Sequence, residues 1–204
     1  MEGEPQPTSA ASDDELLARQ DTLQAEAAVF LSAHRVEAVL APAGRVLPVG
    51  SYVTGLMVWR DLDVCVDARG LVRTAAWRLV EPFVLASDRV RYEHLDDAND
   101  RRHYFVLRLD GWKLDLSLFT AGIPPEVEAF QDELARRLDE GMRLAILRLK
   151  ELWHRRPEYP EIVSAFEIYE AVLAGVRTAE ELDANLRERG LLDRQCAGMS
   201  PRAD

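Results

Sequence analysis

The chain has 204 residues and a formal net charge of −11, with 48% apolar and 30% charged residues, 11 glycines and 10 prolines. This is the composition of a globular protein about one and a half typical domains long, and it excludes collagen-like, disordered and disulfide-scaffold classes. So acidic a chain is repelled by nucleic-acid backbone and by anionic membrane; small molecules are the expected partners, and nucleic acid is not expected unless the fold gathers a local basic cleft.

In chain order, residues 1–11 read as a flexible leader. Ser12 and Glu15 then form a capping box, in which each side chain satisfies the other's backbone amide, so a helix is predicted to begin there. Leu16, Leu23, Ala27, Phe30, Leu31 and His34 recur at helical spacing to about residue 35, with His34 favourable at the C-terminus. Residues 45–49 read as a short strand running into Gly50-Ser51, followed by a helical turn over 51–57. Asp61 to Asp67 alternates polar and apolar, the period of a strand. A helix is predicted over 71–86, with Pro82 kinking it or ending it early. Val90–Leu95 reads as an edge strand, and 96–100 as a polar loop.

His103–Leu109 and Trp112–Phe119 are strand-like runs joined by Asp110-Gly111, the pair that best suits a type I′ turn, where both positions need positive φ. From Glu126 to Leu152 the apolar positions step by three or four, which predicts one long helix ended by Pro157 and Pro160. A second helix should carry Ile162, Phe166, Tyr169 and Val172, and a capping box at Thr178 and Glu181 should open a third, reaching about Gly190. The expectation is an α+β fold: an α/β part over 12–122, a helical part over 123–190, and flexible tails at 1–11 and 191–204.

The two cysteines, Cys65 and Cys196, are too few for a metal quartet or a stapled scaffold, and a cytoplasmic location is expected. The polar N-terminus and the lack of 18 uninterrupted apolar residues indicate neither export nor membrane spanning. The 23 arginines against two lysines, Lys113 and Lys150, are attributed to base composition and given no functional weight.

The informative feature is a set of strand-borne carboxylates, because charge on a sheet costs solvation unless it faces water or a counter-ion. Asp61 and Asp63 differ by two, so their side chains leave one face of a strand about 6.6 Å apart while Leu62, Val64 and Val66 enter the core. In the hairpin, closing Leu109 on Trp112 puts Lys113, Asp115, Ser117 and Phe119 on the face opposite Leu114, Leu116 and Leu118. Three strand-borne acids suit Mg2+, which takes a few carboxylates and completes its shell with water and phosphate. At Val49-Gly50-Ser51 a strand turns into a helix, where free amides, the serine hydroxyl and a glycine's bare backbone suit phosphate oxygens.

Val49-Gly50-Ser51, nine residues, then Asp61-Leu62-Asp63-Val64, with Asp115 in Leu114-Asp115-Leu116, resembles the signature of the DNA polymerase β-type nucleotidyltransferase superfamily, over about residues 36–119. The helical region after it is similar to the small helical parts of minimal and antibiotic-modifying members. The resemblance implies a nucleotidyltransferase-like mixed sheet flanked by helices. It also implies transfer of a nucleoside monophosphate from an NTP to an acceptor hydroxyl, with pyrophosphate leaving. Asp61 and Asp63 would hold two Mg2+ ions, one shared with Asp115, about 3.5 to 4 Å apart. Ser51 would contact the triphosphate, and Asp115 would draw the acceptor's proton.

Other residues have plainer readings. Arg60 either steers triphosphate or caps its loop, Asp67 is a surface acid, and Cys65 is a small half-buried filler rather than a nucleophile. His154 is a solvated helix edge or an acceptor contact, and the pairs Arg136-Arg137 and Arg155-Arg156 are solvated faces or a channel lining. An acceptor pocket is expected from the helical part and residues 96–102. The leading functional expectation is an Mg2+-dependent enzyme on a small-molecule acceptor. A protein or tRNA acceptor, as in toxin-like members, and a non-catalytic nucleotide-binding relative are the alternatives. Base preference and oligomeric state are not legible.

Overall fold

The structure, a computed structural model, describes residues 11–98 and 100–192. The expected leader over 1–10, the tail from 193 and Cys196 lie outside the described residues. Five strands form one mixed sheet: β1 (Val46–Val49), β2 (Asp61–Asp67), β3 (Arg89–Asp96), β4 (Arg101–Leu109) and β5 (Trp112–Phe119), in the order β1-β2-β5-β4-β3. Only β2 and β5 run parallel. The hairpin between β4 and β5 closes Leu109 on Trp112, with φ of 49° at Asp110 and 75° at Gly111, the backbone that the Asp-Gly pair predicts.

One face of the sheet is the hydrophobic core. Leu62, Val64, Val66, Leu114, Leu116, Leu118, Phe105 and Leu107 meet helix α1 (Asp13–Ala33) through Leu23, Ala27 and Phe30. Helix α2 (Val36–Leu40) adds Val36 and Leu40 to that core. The capping box of α1 is present in full, and His34 is its C-cap. A four-residue turn, α3 (Ser51–Thr54), follows β1. Helix α4 (Arg73–Ala86) completes the core with Ala76, Val80 and Phe83.

The remaining helices are α5 (Pro125–Arg137), α6 (Glu140–Trp153), α7 (Ala165–Leu173) and α8 (Ala179–Glu188). They share a second core in which Leu134, Ile146, Leu149, Trp153, Ile168, Val172, Leu182 and Leu186 pack with Leu56. Among the described residues no helix is long and apolar enough to cross a membrane.

Three expectations are corrected. The long helix over 126–152 is two helices: Leu138 turns extended at ψ 108°, and Asp139 caps α6 by accepting from the Met142 amide at 2.7 Å. Pro82 does not end α4, because Phe83 beyond it is buried in the core and Ser87 Oγ donates to the Phe83 carbonyl at 2.7 Å, holding the last turn. Ile162 precedes α7, which starts from a capping box of Ser164 and Glu167.

Candidate active site

The opposite face of the sheet carries the polar residues. Register places Asp61 beside Lys113 and Asp63 beside Asp115 across β2 and β5, so all four side chains leave one face. Asp61, Asp63 and Asp115 each offer a carboxylate oxygen, and these lie within 4.8 Å of one another. Among the described residues this is the one such carboxylate cluster.

Lys113 sits between two of the acids, its Nζ 2.9 Å from Asp115 Oδ2 and 3.2 Å from Asp61 Oδ1. Tyr104 OH donates to Asp115 Oδ2 at 2.6 Å, and Trp59 Nε1 donates to Asp61 Oδ2 at 3.2 Å. Asp61 Oδ1 and Asp115 Oδ1, both shielded from solvent, accept no hydrogen bond; the ammonium near the former is out of line. Three acids with one ammonium in ion-pair contact and two orphaned oxygens fit a divalent cation, whose charge and oxygen preference meet both deficits.

The electrostatics agree. Loss of water pushes the Asp63 carboxyl up to about 7, and the charges of Asp61 and Asp115 push the same way. Burial also raises Asp115 against the attraction of Lys113. For Lys113 itself burial acts downward, but the surrounding carboxylates outweigh it and the net shift is upward. The like charges gathered around Asp63 are a deficit that a cation would relieve.

Gly50, with φ of 73°, turns the chain from β1 into α3 directly over the acids. A Cβ there would lie 2.6 Å from Asp63 Oδ2, so glycine is required both by the backbone angle and by the space. Ser51 follows it as the first residue of α3. Both lie on the wall of a cavity of about 670 Å³ that also takes in the three acids.

That wall contains residues the sequence did not single out. Lys150, 1% exposed, donates from Nζ to the Leu56 carbonyl at 2.7 Å and to Tyr169 OH at 3.2 Å, and sits 5.0 Å from the Trp59 ring. Burial lowers its pKa to about 8, with Asp61 and Asp63 opposing. Phe130 and Phe166 meet at 4.6 Å on the same wall, and Phe166 keeps 43% of its surface exposed. The chain's two lysines therefore both line this cavity. Their scarcity among 23 arginines was the available signal, and it had been assigned no meaning.

Other expected residues lie elsewhere. Arg60 pairs with Glu26 at 2.9 Å and does not line this cavity. Of the described residues among 96–102 only Arg102 reaches the wall. Asp67 pairs with Arg69, and Cys65, 6% exposed, packs with Val49 and Phe119 and has its thiol pushed up to about 12 by burial. His154 packs against Trp59 with ring centroids 5.1 Å apart, while Arg136 pairs with Glu133 and Arg155 with Glu151.

No family model matches the chain, and no curated protein matches it in sequence. Solved structures do. The Cid1 poly(U) polymerase bound to Mg and 3′-dATP is similar over 75% of this chain, with a TM-score of 0.54 and 18% identity. A cytoplasmic RNA terminal U-transferase is similar over 75% of this chain, with a TM-score of 0.53 and 20% identity. The chain spans about half the length of either, 49% and 48%. The match shows the mixed-sheet nucleotidyltransferase fold. The names of both proteins refer to RNA or its tailing, so the expectation that nucleic acid is no partner finds no support in the comparison.

Proposed function

We propose that the protein is an Mg2+-dependent nucleotidyltransferase, moving a nucleoside monophosphate from an NTP to an acceptor hydroxyl and releasing pyrophosphate. One observation carries the reading: three carboxylates from two adjacent parallel strands converge within 4.8 Å, beneath a glycine that cannot bear a Cβ. Asp61, Asp63 and Asp115 would hold the cation, which would supply charge neutralisation for the transfer.

The chain's own residues do the rest. Gly50 and Ser51 lend a bare backbone and a hydroxyl to the triphosphate, and Lys150 adds a compact positive charge on the same wall. Phe130 and Phe166 offer apolar surface for the base. The acceptor oxygen attacks the α-phosphorus; its O–P bond forms as the α–β bridging P–O bond breaks, and pyrophosphate leaves with that electron pair. Asp115, the acid carried by β5, takes the acceptor's proton.

A small hydroxylated acceptor follows from the acidic composition, whereas an RNA acceptor follows from the names of the similar structures. Pyrophosphate release with all four NTPs and Mg2+, with and without each acceptor class, tests the reading. Asp63→Asn is expected to abolish release; equal release by the variant contradicts the proposal. Label transferred to the protein itself identifies a protein acceptor, and NTP binding without any release identifies a non-catalytic relative.

A further inference from the structure

We propose that the sheet face beyond Asp115 is a docking strip for a single nucleic-acid strand that presents its terminal hydroxyl to the triad. This rests on reading the triad as a nucleotidyl-transfer site.

Strand register carries the argument. Across the sheet, Asp61 is paired with Lys113, Lys113 with Arg108, and Arg108 with Arg89, so one row of side chains on the triad's face reads acid, cation, cation, cation. At about 4.8 Å per strand the row runs about 14 Å from Asp61 to Arg89. Arg89 and Arg108 are both exposed and directly opposed. Like charges in that position destabilise a sheet. Neither has an ion-pair partner among the described residues, although most arginines here do. A repulsive, uncompensated pair beside a reactive centre is what an anionic ligand would relieve.

The row also limits the ligand. It extends well past the reach of one phosphate from the triad, so it fits a chain of phosphates rather than a phosphorylated metabolite, and it repels a cationic acceptor. It lies next to the turn at Asp110-Gly111, and further along the same face Glu93 ends the positive surface. The strip is therefore narrow, matching one sugar-phosphate backbone. Gly50 and Ser51 belong to the β1 side of the acids, so the donor and this strip approach the triad from opposite directions along the sheet. The net charge of −11 does not oppose this, because a local basic row acts at contact while the rest of the surface is screened.

The test is fluorescence anisotropy of a labelled RNA of about ten nucleotides, within the usual span of single-strand sites, on the full chain and on Arg89→Gln/Arg108→Gln, across a salt series. Wild type is expected to bind. The double variant is expected to bind about tenfold more weakly and to lose about 1.4 from the salt slope, at roughly 0.7 per lost phosphate contact. Arg78→Gln, on α4 against the other sheet face, is the control for loss of a positive charge away from the strip and is expected to bind as wild type. Thermal unfolding of the double variant should occur no lower than in wild type, since repulsion is removed. No RNA binding by wild type, equal binding by the double variant, or equal competition by AMP or an oligoglutamate peptide overturns the proposal. Calorimetry with Mg2+ and NTP on the same samples separates the two readings: NTP binding that persists without RNA binding sinks the docking strip alone, and its absence sinks the transfer site.

Discussion

Gly50 and Asp63 approach so closely at the end of the β1–β2 pair that a Cβ on the glycine would lie 2.6 Å from Asp63 Oδ2. The glycine also holds a φ of 73°, which costs an L side chain about 1 kcal/mol before any clash. Gly50→Ala is therefore expected to lower stability by about 1–3 kcal/mol and to abolish Mg2+-dependent NTP binding by displacing Asp63. Urea unfolding and calorimetry check the two parts; an alanine variant that binds as wild type contradicts the close approach.

Protonation of Asp63 makes the cation-free protein sensitive to pH. Its carboxyl titrates near 7 in the fold, against an ordinary value of 3.8, because burial and two neighbouring acids disfavour its charge. Between those values the folded state binds more protons than the unfolded one, so this group's contribution to stability falls as pH rises through that window. Thermal unfolding in EDTA should accordingly show a downward trend from pH 5 to 8 that saturating Mg2+ flattens. Magnesium affinity should rise over the same range, since the cation displaces a proton. A slope unchanged in Asp63→Asn would assign it to other groups.

Lys113 stands in for part of the missing positive charge, 2.9 Å from Asp115 and 3.2 Å from Asp61. Lys113→Met leaves those acids facing each other and is expected to cost about 2 kcal/mol in EDTA. Saturating Mg2+ should recover most of that loss. A deficit of equal size with and without the cation would show that Lys113 acts through packing instead.

The break between α5 and α6 rests on Asp139, whose carboxylate accepts from the Met142 amide at 2.7 Å. Asp139→Ala is expected to cost about 1 kcal/mol, the usual worth of an N-cap, and to leave Mg2+ and NTP binding unchanged. Chemical denaturation with parallel calorimetry measures both.

That break also illustrates where sequence reading stops. Leu134, Leu138 and Met142 stay in helical step across it, so periodicity conceals the interruption; only Asp139 as a cap and Gly141 beside it mark the site. The sheet was legible because strict alternation in β2 and the Asp110-Gly111 turn are local signals; β2 forms as a strand, and the hairpin closes Leu109 on Trp112 as expected. The acids were legible for the same reason, being two residues apart on one strand and single on another. Lys150, Tyr169, Phe130 and Phe166 were not, because three helices bring them to the acids only through tertiary packing. The ion pair of Arg60 with Glu26 on α1 was not legible either, because adjacency to Asp61 in sequence says nothing of a tertiary partner.

The most direct test of the account is calorimetry of each NTP with and without Mg2+, on wild type and on Asp61→Asn/Asp63→Asn. The account predicts binding by wild type that requires Mg2+ and disappears in the double variant, while thermal unfolding shows the variant folded. Binding that is independent of Mg2+, or that survives in the double variant, would contradict the assignment of these carboxylates as the site of nucleotidyl transfer.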